Sequence, residues 1–229
     1  MALCVERYME KGRRYRVLDV GARVSLNQKL THRQLLAGYD VDYTGVDVRA
    51  GQNVDVVMKK PYRIPMRPGS VDVVFSGQTF EHIAFPWASI LEIARVLAPG
   101  GVAFITAPSR GHVHGTYDCW RYHPDGMRAL GAWSGLDTVE AHTDFPPLME
   151  DDDGPRVRYD YARLDTKNYY WGDSVGVFRK PLRHRSLSTP IMRAVVLWWA
   201  NRAGRLPDAS TRPAAPSRDD VLGLRAPAA

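Results

Sequence analysis

Short apolar runs alternate with segments of helical periodicity along most of the chain. Runs of aliphatic and β-branched residues predict five strands, at residues 16–20, 42–48, 53–58, 71–76 and 102–106. Apolar residues spaced three and four apart predict helices at residues 25–37, 86–97 and 124–134. Two closing strands follow, at 136–143 and 169–179. Strands that alternate with helices predict an α/β domain with a doubly wound sheet and helices on both faces.

The first strand leads into a glycine turn and then into a helical segment. Asp19 stands near the end of the strand, Gly21 permits a tight turn, and Ser25 suits the N-cap of the next helix. This order lets the backbone come close to a ligand, and the helix N-terminus offers amide donors to an anionic group. Asp19 is placed to accept a hydrogen bond from an amino group, directly or through water. We therefore predict a nucleotide-type ligand at this turn.

A second carboxylate, Asp47, ends the second strand 26 residues after Gly21. A carboxylate at this place can accept hydrogen bonds from both ribose hydroxyls of a nucleotide. The alternative is an aspartate that only caps the turn after the strand. The glycine turn upstream favours the ribose role.

The residues from 69 to 108 carry the most specific pattern of the chain. Gly-Ser-Val-Asp-Val-Val at 69–74 is followed by Phe-Glu-His-Ile at 80–83 and by Glu-Ile-Ala-Arg-Val-Leu-Ala-Pro-Gly-Gly at 92–101. Through these spaced motifs the chain resembles the type 11 family of class I S-adenosyl-L-methionine (SAM) methyltransferases, over residues 16 to about 180.

The resemblance implies a Rossmann-like sheet of seven strands with a final antiparallel strand, SAM as cofactor and S-adenosyl-L-homocysteine as product. The glycine turn resembles motif I of this class, hydrophobic-Asp-hydrophobic-Gly-x-Gly-x-Gly, with Arg23 and Ser25 in place of the second and third glycines. Lys59 and Lys60 stand where related enzymes often carry an acidic residue for the adenine amine, so backbone groups near Met58 are expected to take that role. The cofactor site is expected at Asp19, Gly21, Ala22, Asp47, Val48, Met58, Ser76, Gly77 and Gln78.

A polar and aromatic segment, residues 109–126, follows the fifth strand at the edge of the sheet where ligands bind. Similar loops, rich in histidine and with a Trp-Arg pair, occur in bacterial type 11 enzymes associated with saccharide modification. Aromatic faces pack against the C–H faces of sugars, and arginine donates to their hydroxyls. For Trp120 the alternative is a side chain that fills the gap above the helix at 124–134. The acceptor site is expected at Glu81, Tyr117, Asp118, Trp120 and Arg121.

Methyl transfer to a hydroxyl requires a base that takes its proton, and histidine titrates in the needed range. His114 is the first candidate and His112 the second, because both lie in the acceptor segment and share one side of it if it is extended. His82, beside Glu81 after the fourth strand, is a competitor; the alternative for it is a helix-start histidine bonded to backbone. A divalent metal ion is not expected, because Asp118 is the only nearby third ligand for the histidine pair.

Composition bounds the partner and the compartment. The net charge of +6 admits an anionic partner, but the arginines are scattered and no lysine-rich block occurs, so no nucleic acid partner is expected. Two cysteines, Cys4 and Cys119, have no metal-ligand spacing and fit a reducing cytoplasm. No signal peptide is expected, because residues 1–14 contain no apolar h-region. Membrane insertion is not expected either, because no apolar run approaches the roughly 18 residues that span a bilayer.

Three units are expected along the chain. Residues 1–180 form the methyltransferase domain, residues 181–204 an amphipathic helix that packs on the core or makes a homodimer contact, and residues 205–229 a disordered tail. The long polar segment 144–167 either covers the acceptor site or is a solvated excursion.

These patterns together predict a SAM-dependent O-methyltransferase that acts on a hydroxyl of a carbohydrate, an oligosaccharide or another small molecule. Two rival interpretations stay open. An RNA methyltransferase is suggested by the basic charge, and a non-catalytic SAM-fold binding protein by the substituted glycines. The intact Asp19, Gly21 and Asp47 favour the enzyme.

Overall fold

The elements of the chain follow the predicted alternation of strands and helices. The computed structural model describes residues 1–25, 28, 30–115, 117–143, 149–151, 154–156, 171–182 and 189–203. Its strands are β1 (Tyr15–Val20), β2 (Val41–Asp47), β3 (Val56–Val57), β4 (Val71–Gly77), β5 (Leu97–Arg110), β6 (Asp137–Thr143), β7 (Met149–Asp151), β8 (Gly154–Arg156) and β9 (Gly172–Arg179). Its helices are α1 (Ala2–Tyr8), α2 (His32–Leu35), α3 (Pro86–Val96), α4 (Pro124–Ser134) and α5 (Thr189–Ala203), with a 3-10 turn at Phe80–His82.

Seven of the strands form one sheet, in the order β3-β2-β1-β4-β5-β9-β6. The first five in this order run parallel, and β9 runs antiparallel to both β5 and β6. This arrangement confirms the predicted Rossmann-like sheet with a final antiparallel strand. The strand order reverses between β1 and β4, and ligands of such sheets bind beyond the carboxyl ends of the strands at this reversal.

The central strands β1 and β4 are buried on both faces, because their apolar side chains alternate between two layers of core. Leu18 and Val74 belong to a core cluster with residues of α3 and α4, among them Ile90, Ile93, Met127 and Leu130. Their neighbours Val17 and Val73 point to the opposite layer, which includes Val5, Leu36, Phe75 and Phe104. Burial on both faces explains why β1 and β4 have near-continuous apolar runs in the sequence.

The helix predicted at 25–37 is much shorter than expected. It begins at His32, after Thr31, and the described part of the region places no N-cap at Ser25. Thr31 Oγ1 accepts a hydrogen bond from Gln34 N at 3.2 Å, and Gln34 Oε1 accepts one from Thr31 N at 2.9 Å. This capping box moves the N-cap from the predicted Ser25 to Thr31, so the helix starts later than the apolar pattern indicated. Residues 26, 27 and 29 lie outside the described residues.

Two strands differ in length from the prediction. The third is reduced from residues 53–58 to Val56–Val57, because Asn53 has a left-handed φ of 69° that interrupts an extended backbone. The fifth extends to Leu97–Arg110, because it pairs with β4 along one side and with β9 along the other.

The C-terminal helix α5 packs on the segment after β3. Leu197 and Ala200 are buried in a small apolar cluster with Tyr62, and Asn201 Oδ1 accepts a hydrogen bond from Tyr62 N at 3.1 Å. Among the described residues, none of the helices is both long and apolar enough to cross a lipid bilayer. Of the long polar segment 144–167, the structure describes a hairpin of β7 and β8. The predicted disordered tail, 205–229, lies outside the described residues.

Candidate active site

One cavity of about 410 Å³ lies at the carboxyl ends of β1, β2 and β4. Its lining brings together residues predicted for the cofactor and residues predicted for the acceptor, which are Gly21, Asp47, Val48, Met58, Gln78, His82 and Tyr117. Pro61, Tyr62 and Ile64 add an apolar wall beside Met58. The cavity therefore has a carboxylate end at β2, an apolar wall that suits an adenine ring, and a histidine end after β4.

Asp47 accepts hydrogen bonds from two backbone amides, those of Arg23 at 3.4 Å and Arg49 at 2.9 Å. The aspartate thus does cap its own turn, as the alternative interpretation had it. Each carboxylate oxygen can accept more than one hydrogen bond, and the side chain belongs to the cavity lining. Turn capping and ribose binding are therefore compatible at this position.

The glycine turn is held against its neighbouring strand. The amides of Gly21 and Ala22 both donate to the carbonyl of Val46, at 2.9 and 3.1 Å. These two amides are therefore engaged by β2, and the expected row of amide donors for an anionic ligand does not include them. Gly21 itself has a φ of 80°, and a Cβ added there would lie 2.2 Å from Oγ1 of Thr79. Glycine is required here both for its backbone conformation and for the close approach of Thr79.

Replacing Gly21 by alanine is expected to destabilise the protein by roughly 2 kcal/mol, because it adds a steric conflict with Thr79 to the strain of a positive φ. The matched control is Gly12→Ala, since Gly12 has a φ of 85° but no atom within 4 Å of an added Cβ. The control is expected to lose about 1 kcal/mol. Urea denaturation of both variants measures the difference, and equal losses would show that the contact with Thr79 is unimportant.

Asp19 lies below the cavity, in a buried network rather than in the lining. Its carboxylate binds Nδ1 of His32 at 3.0 Å and accepts a hydrogen bond from the hydroxyl of Tyr43. Burial raises the pKa of Tyr43, and the negative charge of Asp19 adds to that rise. Ser76 and Gly77 also lie outside the lining; the hydroxyl of Ser76 donates to the carbonyl of Val20 at 3.0 Å. Contact of Asp19 with a cofactor amino group stays a prediction.

Three histidines lie close together beside the other end of the cavity, and of these only His82 belongs to its lining. The 3-10 turn after β4 carries His82, and the segment after β5 carries His112 and His114. The ring centroids of His82 and His114 lie 4.9 Å apart, and those of His112 and His114 lie 6.4 Å apart. Trp171 flanks the second pair, 4.6 Å from the ring of His112. All three base candidates are therefore close together, with His114 in the middle.

Hydrogen bonds orient the two closest imidazole rings. Nδ1 of His82 binds the backbone carbonyl of Tyr117, and Nδ1 of His114 binds the backbone carbonyl of His112 at 3.4 Å. Oδ2 of Asp118 lies 3.2 Å from the same nitrogen of His114 and accepts a hydrogen bond from its backbone amide at 2.9 Å. Carbonyl and ionised carboxylate oxygens only accept, so we assign the Nδ1 proton to each ring. Arg121 Nη2 donates to the same carboxylate at 2.7 Å, and this contact lowers the pKa of Asp118 to about 2. Asp118 is thus ionised at neutral pH and fixes His114.

Glu81 lies beside these rings and is fully buried. Neither of its carboxylate oxygens has a hydrogen-bond partner among the described residues, and Oε1 is 3.6 Å from Nε2 of His82. Burial raises the pKa of Glu81 to about 7. A carboxylate with a shifted pKa and no partner is a mark of a functional position.

Two residues predicted for acceptor recognition, Trp120 and Arg121, make structural contacts, and their acceptor role stays a prediction. Trp120 donates from Nε1 to the carbonyl of Ile83 at 2.8 Å and packs edge-on against Trp87, 5.9 Å away. Arg121 binds Asp118 and donates to the carbonyl of His112 at 2.7 Å. Both side chains hold the histidine segment in shape. Tyr117 lines the cavity, and its part in acceptor recognition stays a prediction.

A buried ion pair that the sequence analysis did not single out supports the apolar wall. Glu92 Oε2 accepts from Ile64 N at 3.0 Å, and Arg95 Nη2 donates to the same Glu92 oxygen at 2.7 Å and to the carbonyl of Ile64 at 2.8 Å. The only sequence signal is a pair of charges spaced three apart inside an apolar helix. The pair fixes the chain at Ile64, where it forms the cavity wall.

Comparison with known families finds a methyltransferase domain in part of the chain. Residues 18–105 match the family model Methyltransf_11, described as a methyltransferase domain. The fold is the Rossmann-like methyltransferase fold. This match contains the glycine turn, Asp47 and Glu81–His82, but ends before the segment that carries His112 and His114. No curated protein matches the chain significantly.

Solved structures share the fold at low sequence identity. A chain of the Haloferax volcanii complex between the Trm112 methyltransferase activator and a methyltransferase is 19% identical, with a TM-score of 0.55 over 78% of this chain and 86% of that one. Phosphoethanolamine N-methyltransferase 2 of Haemonchus contortus, in complex with SAM, is 16% identical, with a TM-score of 0.52 over 79% of this chain and 52% of that one.

A third similar structure shows that the fold alone does not decide the reaction. The [4+2]-cyclase SpnF is 18% identical, with a TM-score of 0.56 over 79% of each chain. The same architecture therefore carries different chemistries, and the reaction of this chain has to be argued from its own side chains.

Proposed function

We propose that this chain is a SAM-dependent O-methyltransferase that transfers a methyl group to a hydroxyl of a carbohydrate, with a histidine as general base. The observation that carries the proposal is the single cavity in which Asp47 stands at one end and His82 and Tyr117 at the other. A mannoside is the proposed acceptor, because the histidine-rich segment 109–126 and the Arg- and Ala-rich composition resemble those of the sugar 1-O-methyltransferase of mycobacterial methylmannose polysaccharide synthesis.

The cofactor is SAM, and its demethylated form S-adenosyl-L-homocysteine is the product, as the methyltransferase domain and the SAM-bound relative support. When bound, SAM supplies an activated methyl group on a sulfonium centre. The chain contributes the carboxylate of Asp47 as acceptor for ribose hydroxyls and the side chains of Met58 and Ile64 as an apolar surface for adenine. Positioning of the two reactants supplies most of the rate enhancement in a transfer of this kind.

At the acceptor end, the chain supplies the group that takes the hydroxyl proton. His114 is held by an ionised Asp118, which stabilises the imidazolium that forms when the ring accepts a proton. The ring of His82 is 4.9 Å from that of His114, and His82 lines the cavity. The ring of His112 is farther from that of His114, at 6.4 Å. We therefore keep His114 as the first candidate base, with His82 as its nearest competitor.

The ribose role of Asp47 predicts a loss of SAM affinity in Asp47→Ala. Removing a charged acceptor of hydrogen bonds is expected to cost about 2 kcal/mol, or roughly 30-fold in the dissociation constant. Calorimetric titration with SAM measures the loss, and Asp42→Ala serves as the control because Asp42 is exposed on the same strand and outside the cavity. Unchanged SAM affinity in Asp47→Ala would show that this residue caps the turn and does not bind the ribose.

The proposed substrate class is tested with SAM carrying a labelled methyl group. Free and partly methylated mannosides, other hexosides, phosphoethanolamine and bulk RNA are offered as acceptors. Incorporation into a mannoside hydroxyl, located by mass spectrometry, is the expected result. Incorporation only into RNA or an amine would overturn the carbohydrate assignment, and SAM binding without transfer to any acceptor would favour the non-catalytic interpretation.

A further inference from the structure

We propose that Glu81, His82 and His114 form a binding site for one divalent transition-metal ion at the acceptor end of the cavity. Among the residues that the structure describes, these three form the one group whose nitrogen and carboxylate atoms are close enough to share a cation. The match to the methyltransferase family ends at residue 105 and so does not include His114.

The spacing of the three side chains fits a common ion. One ring nitrogen of each histidine and one carboxylate oxygen of Glu81 all lie within 4.8 Å of one another. Bonds of ~2.1 Å at a tetrahedral angle place the ligand atoms ~3.4 Å apart, so the most widely spaced pair has to close by up to ~1.4 Å when the ion binds. Both histidine side chains are about one-third exposed, at 34% and 32%, which leaves room for that adjustment and for further ligands from the cavity.

The hydrogen bonds around the histidines are those of metal ligands. A histidine that binds a metal usually donates its other ring N–H to a carbonyl or a carboxylate, which fixes the ring and makes the ligating nitrogen more basic. Here Nδ1 of His82 binds the carbonyl of Tyr117, and Nδ1 of His114 binds the carbonyl of His112 at 3.4 Å and lies 3.2 Å from the carboxylate of Asp118. Nε2 of each ring is left with its lone pair available.

Glu81 provides a second and independent observation. Its side chain is completely buried, and neither carboxylate oxygen has a hydrogen-bond partner in the described part of the chain. A buried carboxylate without a partner is costly, and bound cations are one of the few ways in which proteins compensate this cost. The sequence analysis had considered Asp118 as the third ligand; the structure uses Asp118 to hold His114 and puts Glu81 in the ligand position.

The ligand set indicates which ions fit. Two imidazole nitrogens and one carboxylate oxygen suit Zn²⁺, Co²⁺ and similar first-row ions, with positions left open for solvent or substrate, whereas Mg²⁺ prefers oxygen ligands. An ion here would bind an acceptor hydroxyl and lower its pKa, the task that otherwise falls to an imidazole base. This second role rests on the proposed function, but the binding site itself does not.

The test uses the full chain without a polyhistidine tag, stripped with a chelator and titrated with Co²⁺. Visible absorption bands report Co²⁺ in a nitrogen-and-oxygen site, and displacement by Zn²⁺ gives the relative affinity. We expect one Co²⁺ per chain, affinity lower by at least ~100-fold in Glu81→Gln and in His114→Ala, and lower by ~10–100-fold in Asp118→Asn. His142→Ala is the control, since His142 is exposed on β6 and outside the cluster.

Absence of stoichiometric Co²⁺ binding, or binding that Glu81→Gln leaves unchanged, would overturn the metal site. The titration contains no SAM and no acceptor, so its outcome is separate from that of the methyl-transfer assay. If the chain methylates a hydroxyl but binds no metal, the proposal of a histidine base stands and the proposal of a metal site is wrong. If the chain binds Co²⁺ through these residues but transfers no methyl group, the metal site stands and the proposed function is wrong.

Discussion

Replacing His114 by alanine lowers the rate of methyl transfer by ~10²–10⁴-fold and leaves the affinity for SAM unchanged. The ring stands between His82 and His112 and is fixed by Asp118, whereas the predicted ribose contact is at the other end of the cavity. The loss is expected whether the imidazole accepts the proton itself or holds a metal ion. If the imidazole is the base, the loss should appear in kcat more than in KM; if it holds a metal ion that binds the acceptor hydroxyl, KM should rise as well.

Steady-state kinetics with the acceptor identified in the labelling assay measures this change, together with a calorimetric titration of SAM. His142→Ala is again the matched control, because it removes an exposed histidine that is remote from the cavity. Full turnover in His114→Ala would remove this residue from the chemistry and move the base to His82. A parallel loss of SAM affinity would instead indicate a general disturbance of the fold.

Replacing Glu81 by glutamine stabilises the metal-free protein at pH 8 but not at pH 5. The pKa of Glu81 in the folded protein is raised to about 7 by burial. A carboxyl whose folded pKa lies above its unfolded pKa binds more protons when folded, so stability falls as the pH rises from about 4.5 to about 7. At pH 8 the charge is fully present, and removing it is expected to gain up to about 3 kcal/mol.

Thermal unfolding in the presence of a chelator, at pH 5 and at pH 8, measures this effect. For a domain of this size the gain corresponds to a rise in Tm of roughly 6–10 °C at pH 8. Glu6→Gln is the control, because Glu6 is exposed in α1 and should change Tm little at either pH. An equal change in Tm for Glu81→Gln at both pH values would show that the charge of Glu81 does not destabilise the folded protein.

The stability and the metal affinity of Glu81→Gln are expected to change in opposite directions. A buried, unpartnered carboxylate weakens the folded state, and natural proteins accept such positions mainly where they serve a function. The expected pattern is therefore opposite for the two properties, since Glu81→Gln gains stability at pH 8 and loses metal affinity. A merely structural glutamate would not produce this combination.

The sequence predicted the sheet well because its signal is local. β1 and β4 are buried on both faces, so their apolar runs are visible without knowledge of the partners. The same holds for Asp47 and His82, because Asp47 ends a predicted strand, His82 follows one, and parallel strands end at one edge of the sheet. The residues that meet across the cavity could therefore be named in advance.

What the sequence did not predict depends on contacts between distant segments. Arg121 was expected to bind the acceptor, yet it pairs with Asp118 and holds the histidine segment, a geometry that spacing alone does not show. Glu81 was expected to contact substrate, and its complete burial becomes visible only when the segment after β5 is packed over it. The start of helix α2 was predicted too early for a different reason. The capping box at Thr31 determines where the helix begins, and the apolar period upstream does not.

The most direct test of the central claim is a calorimetric titration of the wild-type chain with SAM and with S-adenosyl-L-homocysteine. The cavity between Asp47 and His82 predicts one site per chain with micromolar affinity for both ligands. Absence of binding even at millimolar ligand would contradict the account, because it would mean that Arg23 and Ser25, in place of the usual glycines, have closed the cofactor site.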